Sequence, residues 1–180
     1  MSYRESAIES SRIYSGRVVK LDVDRVRLPD GGESVREVVR HAGAVVILPL
    51  FDDGRIVLVR QFRYPVEGEL LECPAGTLES GEDPQLCAER ELVEETGWRA
   101  RRMEGLGSFY SSPGFTDEVL HSFIATGLNM AEGGAAPEDD EFIEAVELPA
   151  EEAISMARQG EIRDAKTLAT LFLATQLGRI

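Results

Sequence analysis

The alternation of polar and apolar residues predicts several strands in the first part of the chain. Residues 17–28 alternate, and Pro29-Asp30-Gly31-Gly32 forms a turn before a return strand near 34–40, as in a hairpin. Residues 44–50 are an almost continuous apolar run, which is typical of a strand buried on both faces. A further strand is predicted at 55–62. These elements together indicate a sheet.

The last part of the chain predicts more strands and two helices. Strands are expected at 101–110, 119–126 and 141–148. Pro149 suits the start of a helix that runs to about Arg158. An N–H group at the start of a helix has no partner within the helix, so a proline, which lacks the N–H, costs nothing there. Asp164 can cap a last helix over 165–177. The pattern therefore indicates a mixed α/β chain.

The segment after Asp83 predicts a helix with defined ends. Asp83 can accept hydrogen bonds from the first backbone N–H groups, and Pro84 occupies the first helical position. Gly97 can end the helix in the left-handed conformation. We therefore expect one helix between these residues.

This helix has an apolar face and an acidic face. At about 100° per residue, Leu86, Leu92 and Val93 fall on one side. Glu91 and Glu95 fall roughly opposite, with Glu94 and Cys87 beside them. Like charges at this spacing repel each other, and a divalent cation reverses that cost because carboxylate oxygens are good ligands for Mg²⁺. The acidic face is therefore either a solvated surface or a metal-binding cleft.

The spacing of residues 76–98 favours the metal-binding cleft. The segment fits G-x5-E-x7-R-E-U-x-E-E-x-G-U, where U is bulky and apolar, and so resembles the signature, or box, of the Nudix hydrolase family. The matching residues are Gly76, Glu82, Arg90, Glu91, Leu92, Glu94, Glu95, Gly97 and Trp98. The resemblance implies hydrolysis of a pyrophosphate bond by water that a metal ion activates.

The resemblance also implies the residues that hold Mg²⁺, for which Mn²⁺ can substitute. Glu91 and Glu95 match the metal ligands, with help from Glu94 or, through water, from Glu82. The backbone carbonyl of Ala75 matches a further ligand. The metal ions that such carboxylates hold neutralise the charge of a pyrophosphate during attack by water.

Two other box residues have supporting roles by the same resemblance. Arg90 matches an arginine that orients the glutamates by a salt bridge, so Arg90, Glu94 and Glu95 are the catalytic candidates in the box. Gly76 lets the backbone pass close to the metal and the phosphates.

A second motif after the box narrows the substrate. Ser112, Pro113 and Gly114 predict a turn from local chemistry alone. With Glu118 they also form S-P-G-x-T-x-E, which resembles the ADP-ribose pyrophosphatase branch of the family. This resemblance implies that ADP-ribose is cleaved to AMP and ribose 5-phosphate. The alternatives are a pyrophosphatase of other nucleoside diphosphate sugars, such as GDP-mannose or ADP-glucose, and a non-catalytic regulator that binds ADP-ribose.

Two further segments fit that branch. Residues 59–65 resemble its V-x-Q-x-R-x-P strand, in which the arginine that matches Arg63 reaches the substrate diphosphate. From the local sequence alone, Arg63 is predicted to be a surface residue of a strand. Residues 137–144 read as solvated charge by themselves. In the branch, however, a loop glutamate that matches Glu141 activates water or completes a metal site, with Asp139 as its near rival.

Recognition of the base is the point at which this chain departs from the branch. Related enzymes stack the adenine between aromatic side chains of the N-terminal region, whereas residues 16–20 contain no aromatic residue. Tyr14, Arg36 and Arg40 are the candidates, since a guanidinium plane can also cover a base.

Composition agrees with an enzyme that acts on a small molecule. The chain has 180 residues, of which 43% are hydrophobic and 29% charged, and a net charge of −14. Such acidity argues against nucleic acid or an anionic membrane as a partner. The N-terminus shows no signal peptide and no run is long enough to span a membrane. Cys73 and Cys87 are too few for a disulfide framework, so the cytoplasm is expected.

The resemblance extends over nearly the whole chain and implies its architecture. The expected fold is α/β (α+β), a Nudix α/β/α sandwich around a mixed sheet, formed by residues 42–180. Residues 1–41 resemble the small antiparallel sheet with which related enzymes form a homodimer. The N-terminal segment is therefore expected to bind a second copy of the chain.

Overall fold

The computed structural model describes residues 2–136 and 142–180, and it divides into two compact units. The N-terminal unit consists of residues 1–43 and 110–119, and the large-sheet unit consists of residues 44–109 and 120–180. Glu141 and Asp139, the two candidate loop acids, lie outside the described residues.

The N-terminal unit contains a three-stranded antiparallel sheet in the order β1-β2-β3. These strands are β1 (Ser6–Ser15), β2 (Lys20–Arg27) and β3 (Glu33–Arg40). The predicted hairpin of β2 and β3 is confirmed, because Lys20 pairs with Arg40 and Arg27 with Glu33. The sequence did not predict β1, whose ten residues are all exposed. No residue of β1 faces a core, so the alternation that predicts a half-buried strand is lacking.

The large-sheet unit is built on a seven-stranded mixed sheet. Its strands are β4 (Ala44–Leu50), β5 (Arg55–Arg63), β6 (Gly68–Glu72), β7 (Ala75–Thr77), β9 (Arg102–Tyr110), β10 (Val119–Thr126) and β12 (Ile143–Pro149). The order is β12-β5-β4-β10-β9, with β6 on β5 and β7 on β4. Strand β4 is parallel to β10 and antiparallel to β5 and β7. A separate two-stranded sheet joins β8 (Trp98–Arg99) and β11 (Asn129–Met130).

Three α-helices belong to the large-sheet unit, and they have the predicted starts. Helix α1 (Pro84–Thr96) is capped by Asp83, whose carboxylate accepts from the N–H groups of Gln85 and Leu86, and Gly97 ends it with φ 73°. Helix α2 (Ala150–Gln159) follows Pro149, and α3 (Ala165–Gln176) is capped by Asp164. A short 3₁₀ helix (Tyr64–Val66) follows β5. The carboxylates of Asp83 and Asp164 satisfy N–H groups that a helix start leaves without partners.

Alternate residues of β4 separate the helices onto opposite faces of the sheet. Val45 and Ile47 pack with Cys87, Ala88 and Leu92 of α1. The intervening residues, Val46 and Leu48, pack in a second cluster with Ala153 of α2 and with Leu171 and Ala174 of α3. Because successive strand residues point to opposite faces, α1 covers one face and α2 and α3 cover the other. The expected α/β/α sandwich is confirmed.

Two side chains of α1, Leu86 and Cys87, do not lie where the helical wheel placed them. Cys87 was predicted beside the acidic residues but is buried in the apolar cluster with Val45 and Ile47. Leu86 was predicted to face the core, but it is 61% exposed, whereas Leu92 is fully buried and Val93 half-buried. Cys87 and Ala88, both fully buried, occupy the core position in the first turns. The apolar face is therefore rotated toward small residues, which let α1 lie close to the sheet.

No helix of the described residues is long and apolar enough to cross a membrane.

Candidate active site

Helix α1 gathers three box carboxylates around one guanidinium group. Arg90 Nη1 donates to Glu91 Oε1 at 2.6 Å and to Glu94 Oε2 at 2.9 Å. Its Nε and Nη2 donate to the two carboxylate oxygens of Glu82 at 3.2 and 3.1 Å. Glu94 lies one turn after Arg90, and Glu82 lies in the loop before the helix. Arg90 therefore fixes the loop and the acidic face of the helix relative to each other.

These ion pairs set the charge of the cluster. Hydrogen bonds from Arg90, and then from the N–H of Glu79, lower the pKa of Glu82 to about 2. The same Glu82 bonds raise the pKa of Arg90 above its ordinary value, with Glu91 and Glu94 contributing to the rise. Glu82 is therefore a carboxylate and Arg90 a cation at neutral pH.

Glu95 joins α1 to β7, the strand in which the box begins. Its side chain is buried, with 6% of the residue exposed, and its Oε2 accepts a hydrogen bond from the backbone N–H of Ala75 at 3.0 Å. Ala75 belongs to β7, where it pairs with Val46 of β4. This places the Ala75 backbone, predicted to supply a ligand, against the Glu95 carboxylate.

The absence of a side chain at Gly76 makes room for Glu91. A Cβ atom at position 76 would overlap the carboxylate and the Cγ atom of Glu91. The backbone of β7 and the acidic face of α1 therefore approach more closely than any other residue at position 76 would allow. The structure thus brings Ala75, Gly76, Glu91 and Glu95 together at one place.

Arg63 lies at the end of β5 and is held by a buried carboxylate. Its Nε and Nη2 donate to the two oxygens of Glu72 at 2.9 and 2.7 Å. The side chain of Glu72 is 1% exposed and also accepts from Lys166. Burial favours the neutral form of Glu72, but the hydrogen bonds and charges of Arg63 and Lys166 outweigh it and hold its pKa below the ordinary value. Sequence reasoning missed Glu72 and Lys166; the signal for Glu72 was an acid within the apolar run Leu70-Leu71-Glu72-Cys73.

Two predicted substrate residues, Arg36 and Arg40, lie on β3 of the N-terminal unit and are paired with acids there. Arg36 donates to Glu5 through Nε, at 3.0 Å, and through Nη2. Arg40 contacts Asp22 at 3.0 Å, Asp24 at 2.7 Å and Asp117 at 3.2 Å. Both guanidinium groups are therefore oriented by carboxylates within the unit.

The Ser-Pro-Gly motif also lies in the N-terminal unit and forms the predicted turn. The carbonyl of Ser112 accepts from the N–H groups of Phe115 and Thr116, each at 3.1 Å, and the chain turns through Pro113 and Gly114. Glu118 lies 3.4 Å from His41 Nδ1. The roles of these residues toward a substrate stay predictions.

Comparison with known proteins agrees with this geometry. The NUDIX domain model matches residues 40–171, which include the whole box and most of the large sheet. The chain belongs to the Nudix family. It is a Nudix hydrolase, and the recognition made from the box is confirmed.

Three curated relatives extend over most of this Nudix chain. A methanol dehydrogenase activator of Bacillus methanolicus is 46% identical over 97% of this chain and 95% of its own length. An ADP-ribose pyrophosphatase of Bacillus subtilis is 45% identical over 92% of this chain and 90% of its own. A GDP-mannose pyrophosphatase of Cronobacter sakazakii is 40% identical over 75% and 78%. The two pyrophosphatases among these relatives support a nucleotide-sugar pyrophosphatase activity.

A solved structure shows the same Nudix fold. The crystal structure of an ADP compounds hydrolase superposes with a TM-score of 0.84 over 100% of both chains, at 19% sequence identity. At that identity, the likeness establishes the architecture and no more.

The donor set of this Nudix box fits a divalent cation, of the kind that Nudix hydrolases generally use. The side chains of Glu91, Glu94 and Glu95 supply hard oxygen donors. The lack of a side chain at Gly76 makes room for Glu91, and the Ala75 backbone lies against Glu95. Among the described residues, no three acidic, histidine or cysteine side chains already form a metal cage. The carboxylates of Glu82, Glu91 and Glu94 converge on Arg90 instead.

Cys87 is a structural residue of the Nudix box. It is fully buried, and its Sγ lies 3.4 Å from Arg90 Nη2. Burial raises the pKa of its thiol to about 12, with the charge of Glu82 adding to the rise. Cys87 is therefore a neutral thiol at pH 7, and since the thiolate is the reactive form, its role is to pack beneath the carboxylates.

Proposed function

We propose that this Nudix hydrolase cleaves the pyrophosphate bond of ADP-ribose to give AMP and ribose 5-phosphate, with Mg²⁺ as its cation. The observation that carries the proposal is the arrangement of the box, in which Arg90 gathers Glu82, Glu91 and Glu94 beside the Gly76 backbone. The ADP-ribose pyrophosphatase relative from Bacillus subtilis supports the choice of substrate.

The protein groups divide the work of this reaction between them. Glu91 and Glu95, with Glu94 and the carbonyl of Ala75, would hold the cation, and Arg90 keeps the carboxylates of Glu91 and Glu94 in place. When bound, a divalent cation supplies positive charge against the diphosphate oxygens and lowers the pKa of a water. Arg63 supplies a further positive charge toward the diphosphate. In a protein of net charge −14, such local cations must overcome long-range repulsion of an anionic substrate.

We propose that the carboxylate of Glu141 activates the attacking water, and Asp139 is the alternative residue for this role. The proposal rests on the match of residues 141–144 to E-x-I-E. Ser112, Pro113, Gly114 and Glu118 are proposed to bind the substrate from the same branch resemblance. Tyr14, Arg36 and Arg40 are the candidates for covering the base; Tyr14 is 57% exposed.

Cleavage of GDP-mannose is the second candidate function. A GDP-mannose pyrophosphatase at 40% identity supports it, because the box chemistry serves either nucleotide sugar. The choice between the two substrates depends on the residues that contact the base and the sugar, not on Arg90 or its carboxylates.

We also propose that the chain forms a homodimer through residues 1–41, with residues 42–180 as the catalytic domain. All ten residues of β1 are exposed, and they include Ile8, Ile13 and Tyr14, which are 37, 62 and 57% exposed. A ten-residue strand that buries neither face gains little from its own unit. A second copy of the chain would cover these side chains.

Product analysis tests the proposed function. Purified protein is incubated with ADP-ribose, GDP-mannose, ADP-glucose and NADH, with and without Mg²⁺. Metal-dependent release of AMP from ADP-ribose well above the other substrates supports the proposal, whereas faster cleavage of GDP-mannose replaces the substrate and keeps the chemistry. Binding of ADP-ribose without cleavage of any compound makes the chain a non-catalytic regulator. A methanol dehydrogenase added with NAD⁺ in a parallel assay tests the activity named for the Bacillus methanolicus relative.

A further inference from the structure

The buried carboxylate of Glu72 is shared by two cations that are far apart in the sequence. Arg63 binds both of its oxygens, at 2.9 and 2.7 Å, through Nε and Nη2. Lys166, from the first turn of α3, donates to Glu72 Oε2 as well. The side chain of Glu72 is 1% exposed and that of Lys166 is 16% exposed, while that of Arg63 is 40% exposed. The ion pair is therefore anchored in the interior and reaches the surface only at Arg63.

The start of α3 also fixes the backbone beside Glu72. The carboxylate of Asp164 caps the helix by accepting from the N–H and the hydroxyl of Thr167, at 2.9 and 2.6 Å, and lies 3.0 Å from Lys166 Nζ. The Thr167 hydroxyl oxygen in turn accepts from the N–H of Cys73 at 2.7 Å. One turn of α3 thus holds both the Glu72 side chain and the next peptide group.

The exposed end of Arg63 lies in the electrostatic field of the box. Its hydrogen bonds to Glu72 raise the pKa of the guanidinium group, burial opposes the rise, and the charges of Glu72 and then Glu95 add to it. In the part of the chain that the structure describes, Arg63 donates to Glu72 through Nε and Nη2, and Nη1 is the group that it can offer to a further acceptor. A planar guanidinium fixed on one edge presents its other edge in one direction.

Lys166 changes the net charge that the Arg63–Glu72 pair presents to a ligand. Arg63 and Glu72 alone would form a neutral pair, and a neutral pair attracts an anion weakly. Lys166 shares the negative charge of Glu72, so that Arg63, Glu72 and Lys166 together carry one positive charge. Asp164 lies 3.0 Å from Lys166 Nζ at the N-terminus of α3 and balances that charge. Its side chain is 15% exposed and that of Lys166 16%, whereas that of Arg63 is 40% exposed, so the charge nearest the surface is that of Arg63.

We propose that Lys166 and Glu72 are positioning residues for the substrate diphosphate, which they serve by holding Arg63 in a fixed orientation with its positive charge available. This inference rests on the proposed function, because it takes a diphosphate as the group that Arg63 contacts. It adds α3, which contains no part of the box, to the elements on which substrate binding depends.

The test is a double-mutant cycle between Lys166 and Arg63. The variants are Lys166→Met, Lys166→Arg, Arg63→Ala and the combination of Lys166→Met with Arg63→Ala. Arg163→Met serves as the matched control, because it removes an exposed cation three residues before Lys166. For each variant, KM and kcat are measured on the cleaved nucleotide sugar, and the Kd for inorganic pyrophosphate is measured by calorimetry.

Lys166→Met is expected to raise KM roughly tenfold with kcat within about twofold, since a diphosphate contact that is equal in the ground and transition states acts on KM. Lys166→Arg keeps the cation and is expected to restore most of the affinity. In the Arg63→Ala background, Lys166→Met is expected to have no further effect, because coupled residues are not additive. The Arg163→Met control should match the wild type in both constants.

Two results would overturn the inference: a KM for Lys166→Met that equals that of Arg163→Met, or the same fold-increase with and without Arg63. Thermal unfolding of each variant shows whether a rise in KM comes from loss of the fold or from a change in the orientation of Arg63. If Lys166→Met alone does not fold, because it leaves buried carboxylates with one cation fewer, Glu72→Gln combined with Lys166→Met removes both charges and should give the same rise in KM. If the wild-type protein cleaves no nucleotide sugar, the proposed function is refuted. The inference is then decided by whether Lys166→Met weakens pyrophosphate binding, measured as Kd, relative to Arg163→Met.

Discussion

Gly76 and Glu91 are in such close approach that a methyl group on one would occupy the place of the carboxylate of the other. Gly76 lies in β7 and Glu91 in the middle of α1, so this approach fixes the distance between the sheet and the acidic face of the helix. The box glycine is therefore required by packing as well as by any ligand that binds there.

Replacing Gly76 by Ala is expected to reduce kcat on the nucleotide sugar by about 100-fold, because Glu91 must leave its place beside β7. Gly105→Ala is the matched control, since a Cβ atom at Gly105 meets no atom within 4 Å. Steady-state kinetics with Mg²⁺ measure the effect, and circular dichroism confirms that both variants fold. Near-normal turnover of Gly76→Ala would contradict the placement of Glu91 in the reaction.

Glu95→Gln is expected to lower kcat by roughly two orders of magnitude or more, as loss of a charged ligand at a charge-neutralising site does. The amide oxygen of glutamine can still accept from the N–H of Ala75, so the link between α1 and β7 remains. Glu89→Gln, on the exposed side of α1, is the control. Mg²⁺ titrations of both variants decide whether the loss is one of metal affinity.

The ends of the helices could be predicted from the sequence because each depends on one or two local residues. Asp83, Gly97 and Asp164 act through backbone groups within four positions of themselves, and the structure has all three as predicted. Strand β1 could not be predicted in this way. Its pairing with β2 depends on backbone hydrogen bonds, and none of its side chains is buried to leave a pattern in the sequence.

The box could be predicted for a different reason, since its spacing matches a known signature over residues 76–98. The spacing does not reveal which oxygen faces which donor, and so the convergence of three carboxylates on Arg90 required the structure. Lys166 and Glu72 are 94 residues apart in the chain. No local pattern in the sequence can join residues at that separation.

The stability of the fold should depend on pH through Glu82. Its folded-state pKa of about 2 lies below the ordinary value of 4.5, so its ionised form stabilises the protein above pH 4.5, and this contribution is lost as the pH falls toward 2. The difference in free energy of unfolding between wild type and Glu82→Gln should therefore be constant from pH 7 to about 5 and shrink below that. Urea unfolding at several pH values measures it.

The exposed Glu132→Gln variant is the control for that experiment. A difference between wild type and Glu82→Gln that grows as the pH falls would contradict the ion pair of Glu82 with Arg90.

Substitution of the two loop acids separates their roles. Glu141→Gln is expected to lower kcat far more than it changes KM, because an acid that activates water acts in the transition state. Asp139→Asn, two residues earlier, should leave kcat close to normal. The reverse outcome would move the role to Asp139, and a change in KM alone would mean that the loop binds the substrate without activating water.

Deletion of residues 1–17, which removes β1, is expected to convert the proposed homodimer to monomers. Deletion of residues 1–4 leaves β1 intact and should leave the dimer intact. Light scattering after gel filtration at several protein concentrations gives the mass of each form. A dimer that survives the loss of β1 would place the interface elsewhere. Deletion of residues 1–41 is expected to abolish ADP-ribose binding as well, if the two copies share the site.

The dependence of Glu72 on α3 has a consequence for the newly made chain. Glu72 and its neighbour Cys73 obtain their partners, Lys166 and Thr167, 94 residues later. At a synthesis rate of about 5–20 residues per second, the ribosome needs roughly 5 to 20 seconds to make those partners after it has made Glu72. During that interval the nascent chain carries a carboxylate that it cannot bury with Lys166. The contacts of Glu72 and Cys73 with α3 therefore form only after Lys166 and Thr167 have been made.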